Sequence, residues 1–173
     1  MVAPGPSPEQ LEQILTIGAR TPDHGMLTPW RFVTVADDQR DPLAQLLTEA
    51  LAAEEPDAPA AKFAKAGDFA HSGMALIAVI SAPVPEHKIP EWEQILSCGA
   101  AAMNILHAAH AFGFVGGWVT GRHAYSDRVS AAFCENGERI AGFIFIGTPG
   151  RELDERPRPE LSAVWRPWQP PKT

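Results

Sequence analysis

Residues 20–32 read Arg-Thr-Pro-Asp-His-Gly-Met-Leu-Thr-Pro-Trp-Arg-Phe, placing one histidine and two arginines in a loop bracketed by prolines. Pro22 and Pro29 fix their own φ and restrict the residues before them, so both ends of the loop are stiff. A stiff loop with cationic and aromatic side chains suits a planar anionic ligand. On chemistry alone a plain polar connection from helix to strand has equal standing.

Other constellations narrow the chemistry. His107 and His110 are three apart, but no glutamate lies between them and neither Cys98 nor Cys134 has zinc-like spacing, so no metal is expected. Cys98 falls inside an apolar helical pattern, where thiols are inert core. Gly147-Thr-Pro-Gly150 and Thr120-Gly-Arg-His123 do not match a nucleophile elbow. Gly113, Gly116, Gly117 and Gly121 miss the dinucleotide fingerprint. A flavin needs a flat apolar slot, a backbone N–H near its reactive nitrogen and cations for its phosphate. Gly116-Gly-Trp-Val-Thr-Gly121 offers bare backbone, Arg20 and His24 offer donors, and Arg156 and Arg158 form a late cationic pair.

The elements that must position these groups follow from pattern. Ser7-Pro8-Glu9-Gln10 is a capping box with proline at the first helical position. Leu11, Ile14, Leu15 and Gly18 then share a face, and Pro22 ends the helix. Trp30 to Val35 reads as a strand. A second helix starts at Asp41-Pro42, and a short one spans Ala61 to Ala70. Met74 to Ala82 is a continuous β-branched run, the mark of a strand buried on both faces. The longest helix runs from Pro90-Glu91 to about Phe112. Being apolar nearly all round, it belongs in the protomer core or in a subunit interface. Gly113 stops it, and Phe114 to Thr120 is a glycine-bearing strand. Ser126-Asp127 caps a short helix to Phe133, and Arg139 to Gly147 is another buried strand. The proline-rich tail 148–173 is expected to pack on the domain or on a partner subunit.

The 173 residues argue for one domain, and 45% hydrophobic with 20% charged residues is a globular balance. A net charge of −7 with no dense basic patch argues against nucleic acid. The longest apolar run is too short to span a bilayer, and the N-terminus lacks a signal-peptide pattern. Two cysteines without short spacing point to a reducing compartment, so the cytoplasm is the expected location.

Several spaced blocks carry a family resemblance. Arg20-Thr-Pro-Asp-His24 with Pro29-Trp-Arg-Phe-Val33 resembles the loop after the first core helix of the FMN-dependent nitroreductase superfamily, in particular a short bacterial branch of it. The likeness continues at His87-Lys-Ile-Pro-Glu-Trp-Glu-Gln94, at Gly116-Gly-Trp-Val-Thr-Gly121 and at Gly142-Phe-Ile-Phe-Ile-Gly-Thr-Pro149. It implies an α+β homodimer, a central mainly antiparallel sheet flanked by helices, with two FMN sites at the subunit interface. It also implies an enzyme using NAD(P)H to reduce nitroaromatic or quinone-like acceptors by a ping-pong flavin mechanism. The alternative is a flavin-binding or ligand-sequestering homodimer with little turnover. By the same resemblance Arg20, His24, Trp118, Val119 and Thr120 contact FMN, and Arg156 and Arg158 lie at its phosphate. Ala108, Ala109, His110, Ala111, Phe112 and Gly113 lie near the nicotinamide nucleotide. The family's N-terminal Arg-Arg-Ser-type motif is absent from this sequence. Val119 stands where close relatives carry Arg, and Thr28 where they carry Gln.

Overall fold

The computed structural model describes residues 1–152 and 155–171. Leu153, Asp154, Lys172 and Thr173, all in the tail segment 148–173, lie outside the described residues. Helix α1 (Pro8–Ala19) opens as the sequence predicts. The Gln10 N–H donates to Ser7 Oγ at 3.2 Å, and the Ser7 N–H to Gln10 Oε1 at 2.9 Å. Its face of Leu11, Ile14, Leu15 and Gly18 packs on the long helix α4 (Glu91–Ala111). At Gly18 the two helices come so close that a Cβ would sit 2.6 Å from Ile105 Cγ1.

Four strands form one antiparallel sheet in the order β1-β2-β4-β3: β1 (Trp30–Thr34), β2 (Ala75–Ser81), β3 (Val115–Val119) and β4 (Arg139–Gly147). The two central strands are the two apolar runs of the sequence, and both are buried on both faces. Alternation then splits their side chains between two cores. Ile77, Val79, Ile144 and Ile146 meet α1 and α4 on one face. Leu76, Ala78, Ile80, Phe143 and Phe145 meet the other layer. That layer comprises α2 (Arg40–Glu54), α3 (Ala60–Phe69) and α5 (Asp127–Phe133). The expected sheet flanked by helices is therefore present.

β4 carries a bulge. Val79 pairs with Gly142 and Ile80 with Ile140, leaving Ala141 as the extra residue. Beyond it the strand's alternation slips by one, which is why Ile140 and Phe143 enter the same core layer.

α2 begins one residue before the expected Asp41, directly after a turn of 3-10 helix (Asp37–Gln39), and its first residue, Arg40, is a core residue. Only 4% exposed, it donates from Nε to Val35 O at 3.1 Å, and from its terminal nitrogens to Ala70 O at 2.6 Å and Met74 O at 3.4 Å. Burial pulls its pKa down, with the Asp37 charge opposing. It joins the ends of three segments: the exit of β1, the end of α3 and the entry to β2.

Edge strand β1 is tied down by a fork. Arg31 reaches both Glu138 oxygens, and its NH2 nitrogen also donates to Phe133 O at 2.9 Å. The Arg31 hydrogen bonds hold the Glu138 carboxyl below its ordinary value of 4.5, against a smaller burial effect. A carboxyl with a depressed folded pKa contributes stability above the unfolded pKa and loses it as pH falls through the folded one. Urea unfolding is therefore expected to show stability falling below pH 4.5 with this pair contributing. The Glu138→Gln variant should show a shallower acid slope and lower stability at pH 7. An unchanged slope would remove the pair from the account.

α4 resolves the ambiguity of its apolar surface. Gln94, Ser97, Cys98, Ala101, Ala102, Ile105, Ala108 and Ala109 face the core. Trp92, 66% exposed, lies with Leu96 and Met103 along the opposite side as an exposed apolar stripe. The described tail residues 155–171 are all exposed, including Trp165, Trp168 and the one-turn helix α6 (Leu161–Val164). No helix among the described residues is long and apolar enough to cross a membrane.

Candidate functional site

The loop after α1 is a fixed structure lying on α4. Thr21 Oγ1 donates to Gly18 O at 2.8 Å and accepts from Asn104 Nδ2 at 2.6 Å. Ser97 Oγ donates to Pro22 O at 2.8 Å. Asp23 folds the tip by accepting the Leu27 N–H at 2.6 Å and the Thr28 N–H at 3.3 Å. His24 Nδ1 lies 2.7 Å from Glu93 Oε2, so the ring's other nitrogen is the one left to face a ligand. Met26 and Thr28 hold φ of 55° and 50°, a left-handed conformation costly for such residues. Strain of this kind persists where the surroundings impose it, and Asp23 with the α4 side chains does so here. Arg20, at the α1 C-cap, is exposed and makes no ion pair within 4 Å among the described residues.

The second half is built on edge strand β3. Gly116 passes so close to α4 that a Cβ would lie 2.6 Å from Leu106 Cδ2. Trp118 Nε1 donates to Ala141 O, the bulged residue of β4, at 3.2 Å. The indole then lies across Gly142, where a Cβ would fall 2.1 Å from Nε1. Trp118 forms one wall of a cleft of about 400 Å³ beside α4, at the ends of β2 and β4. Pro83, Ile95, Gly99, Tyr125 and Arg139 supply further walls. Cys98 also borders it, and burial pushes its thiol up to about 11, with Ser81 opposing, so it has no thiolate character at neutral pH.

The turn after β3 is bolted in place at three points. Arg122 bridges Glu54 and Glu55 at the end of α2, and the Ser126 hydroxyl donates to Glu54. The Ser126 bond and then Arg122 hold the Glu54 carboxyl below its usual range. Lys62 and then Arg122 do the same for Glu55. Buried His123 lies against Phe69 with ring centroids 4.5 Å apart, and burial pushes its pKa down, aided by the Arg122 charge. Between these anchors Tyr125, the chain's single tyrosine, is left 76% exposed at the cleft.

The two halves do not meet within one protomer. Glu93, Ser97 and Asn104, which hold the loop of Arg20 and His24, lie along one flank of α4. Glu91, Ile95 and Gly99, which line the Trp118 cleft, lie along another, about half a helical turn away. The exposed stripe of Trp92, Leu96 and Met103 runs between them. Val119 is half-exposed on β3 and Thr120 follows it at the strand's end. Arg156 and Arg158 sit on the exposed tail, where Arg158 Nε bonds Glu155 Oε1 at 2.9 Å, and neither lines the cleft. Ala108 and Ala109 turn into the core and Phe112 packs at its margin. His110, Ala111 and Gly113 are exposed at the far end of α4. Tyr125, Arg139 and Gly142 escape a reading of spacing because a bulge, a turn and strand register bring them together.

Comparison with known proteins agrees with this architecture. The model of the nitroreductase family matches residues 3–148. Two relatives carry the description "Putative NAD(P)H nitroreductase". YdjA of Escherichia coli (strain K12) is 35% identical over 150 residues, 86% of this chain and 81% of its own. A Haemophilus influenzae protein is 36% identical over 158 residues, 90% of this chain and 84% of its own. Among solved structures, a nitroreductase-like family protein from Bacillus cereus superposes with a TM-score of 0.83 at 20% identity, covering 96% of this chain and 87% of that one. The NADPH:FMN oxidoreductase from Vibrio harveyi, complexed with NAD+, gives 0.73 at 18% identity, covering 100% and 73%. With the family model covering most of its length and two relatives above one-third identity, the chain belongs to the nitroreductase family.

Proposed function

We propose that this chain is an FMN-dependent oxidoreductase, acting as a homodimer in the cytoplasm, that takes hydride from NAD(P)H and reduces nitroaromatic or quinone-like acceptors. The observation that carries the reading is the placement of two half-sites on either flank of an exposed apolar helix stripe. A two-fold rotation about an axis along that stripe exchanges the flanks. Arg20 and His24 of one copy then face Trp118, Val119 and Thr120 of the other, and the stripe is buried.

The residues fit such a cofactor. β3 is an edge strand, so part of its backbone is free to bond a ring edge. Trp118 gives a flat surface beside it, while the end of α1 presents Arg20, which makes no ion pair within 4 Å among the described residues. Arg156 and Arg158, on the exposed tail stretch 155–171, are the cations offered to the phosphate. The segment Ala108 to Gly113 offers only its exposed end, His110, Ala111 and Gly113, to a nicotinamide nucleotide.

FMN supplies the hydride and electron chemistry when bound. The chain's residues orient the ring, exclude water with Trp118 and the buried stripe, and offset the charge gained on reduction with Arg20 and backbone donors. No acid or base side chain is required. Overall, NAD(P)H, a proton and a nitroarene give NAD(P)+, a nitrosoarene and water. Donor and acceptor sharing one site in turn is ping-pong behaviour.

The test is direct. Protein equilibrated with FMN and desalted should be yellow, sediment as a dimer and oxidise NAD(P)H when a nitroarene is added. Double-reciprocal plots at several acceptor concentrations should be parallel. Protein that takes up no FMN refutes the reading, and intersecting lines refute the ping-pong part alone.

A further inference from the structure

The cleft beneath Trp118 has a composition that selects among acceptors. Its walls are aromatic and apolar: Trp118, Tyr125, Ile95 and Pro83. Among the described residues that line it, Arg139 is the single basic side chain, set at the start of β4 opposite Ser81. Neither Arg139 nor Glu91, the acid across the rim, makes an ion pair within 4 Å among the described residues. A volume of about 400 Å³ holds a substituted ring with room to spare.

Tyr125 is the second observation. An aromatic side chain 76% exposed to water is ordinary on a floppy loop. This one rides a turn fixed by Arg122 to Glu54 and Glu55, by His123 against Phe69 and by Ser126 to Glu54. Its backbone is thus already ordered, and stacking a ligand on it costs little further entropy. The same rigidity holds Trp118, which is locked by the Ala141 carbonyl and by the space over Gly142.

We propose that this cleft is the acceptor subsite and that it takes planar aromatic acceptors bearing an anionic substituent, stacked against Tyr125 and Trp118 and read by Arg139. The inference rests on the proposed function for what happens to the ligand. The binding itself rests on the cleft. A guanidinium meets a carboxylate through paired hydrogen bonds that a neutral ring cannot accept. Discrimination therefore appears as a ratio between matched ligands.

The experiment compares 4-nitrobenzoate with nitrobenzene by calorimetric titration of the purified protein as isolated, and by KM with FMN-loaded protein. Wild type should favour 4-nitrobenzoate by about tenfold. Arg139→Leu should abolish that preference, and Arg139→Lys should restore part of it. Tyr125→Ala should weaken both ligands alike, with folding checked by circular dichroism. The proposal is overturned if Arg139→Leu keeps the preference, weakens both ligands equally, lowers FMN content or dissociates a dimer. The last two outcomes would assign Arg139 to the cofactor or to the subunit contact. Failure of the functional reading shows separately, as no uptake of FMN by wild type, and leaves the titrations interpretable.

Discussion

Alanine at position 142 is expected to unseat Trp118 and disable the cleft. The added methyl would fall 2.1 Å from Trp118 Nε1 and 3.0 Å from Val119 O, so either the indole swings away or the bulge rearranges. Both break the bond from Nε1 to Ala141 O. Overpacking of this kind costs about 1–3 kcal/mol. The functional loss should be of similar size, because the indole that moves is the one placed against the ring in the proposed site: about tenfold weaker FMN binding, equivalent to about 1.4 kcal/mol. Fluorimetric FMN titration together with urea unfolding separates the two. Gly99→Ala is the control, since its methyl would meet the far edge of the same indole at an ordinary 3.8 Å. In mid-helix it should raise stability by up to about 1 kcal/mol. If Gly142→Ala binds FMN as well as Gly99→Ala does, the indole is not what shapes the site.

Arg40→Met should be the most destabilising single change outside the apolar core. Methionine keeps most of the volume but leaves the carbonyls of Val35, Ala70 and Met74 without their donors in a buried place. Each orphaned acceptor costs about 1–3 kcal/mol, so a total of about 3–5 kcal/mol is expected after relaxation. Lysine should rescue little, because a point ammonium cannot span three carbonyls that a planar fork reaches. Urea unfolding followed by circular dichroism reads the loss. A cost below about 1 kcal/mol would mean that water takes over the three acceptors.

How far the sequence could be read depended on whether the information was local. The Ser7–Gln10 capping box, the stop at Gly113 and the two apolar runs that became β2 and β4 are each specified by neighbours in the chain, and they appear where their patterns put them. Arg40 carried no local sign of its burial, because an arginine before Asp41-Pro42 is ordinarily a surface residue and only the packing of three segments encloses it. For the candidate site, the loop 20–32 and the Trp118 strand were visible as motifs. Their attachment to opposite flanks of α4 was not, since the partners of Glu93, Ser97 and Asn104 lie 69 to 83 residues away in the chain and meet them only through the packing of α1 on α4. Tyr125 and Arg139 carried no signal at all. An exposed tyrosine and a strand-end arginine are common, and what sets these apart is a bulge at Ala141 and a turn pinned from α2.

The opposed flanks of α4 bear on mass action. On the proposed reading, a ring held by Arg20 of one chain and Trp118 of another is owned by neither. Holding cofactor and holding a partner become one linked equilibrium. Dilution should then strip flavin from the protein, and surplus flavin should hold the pair together at concentrations where the bare chains part.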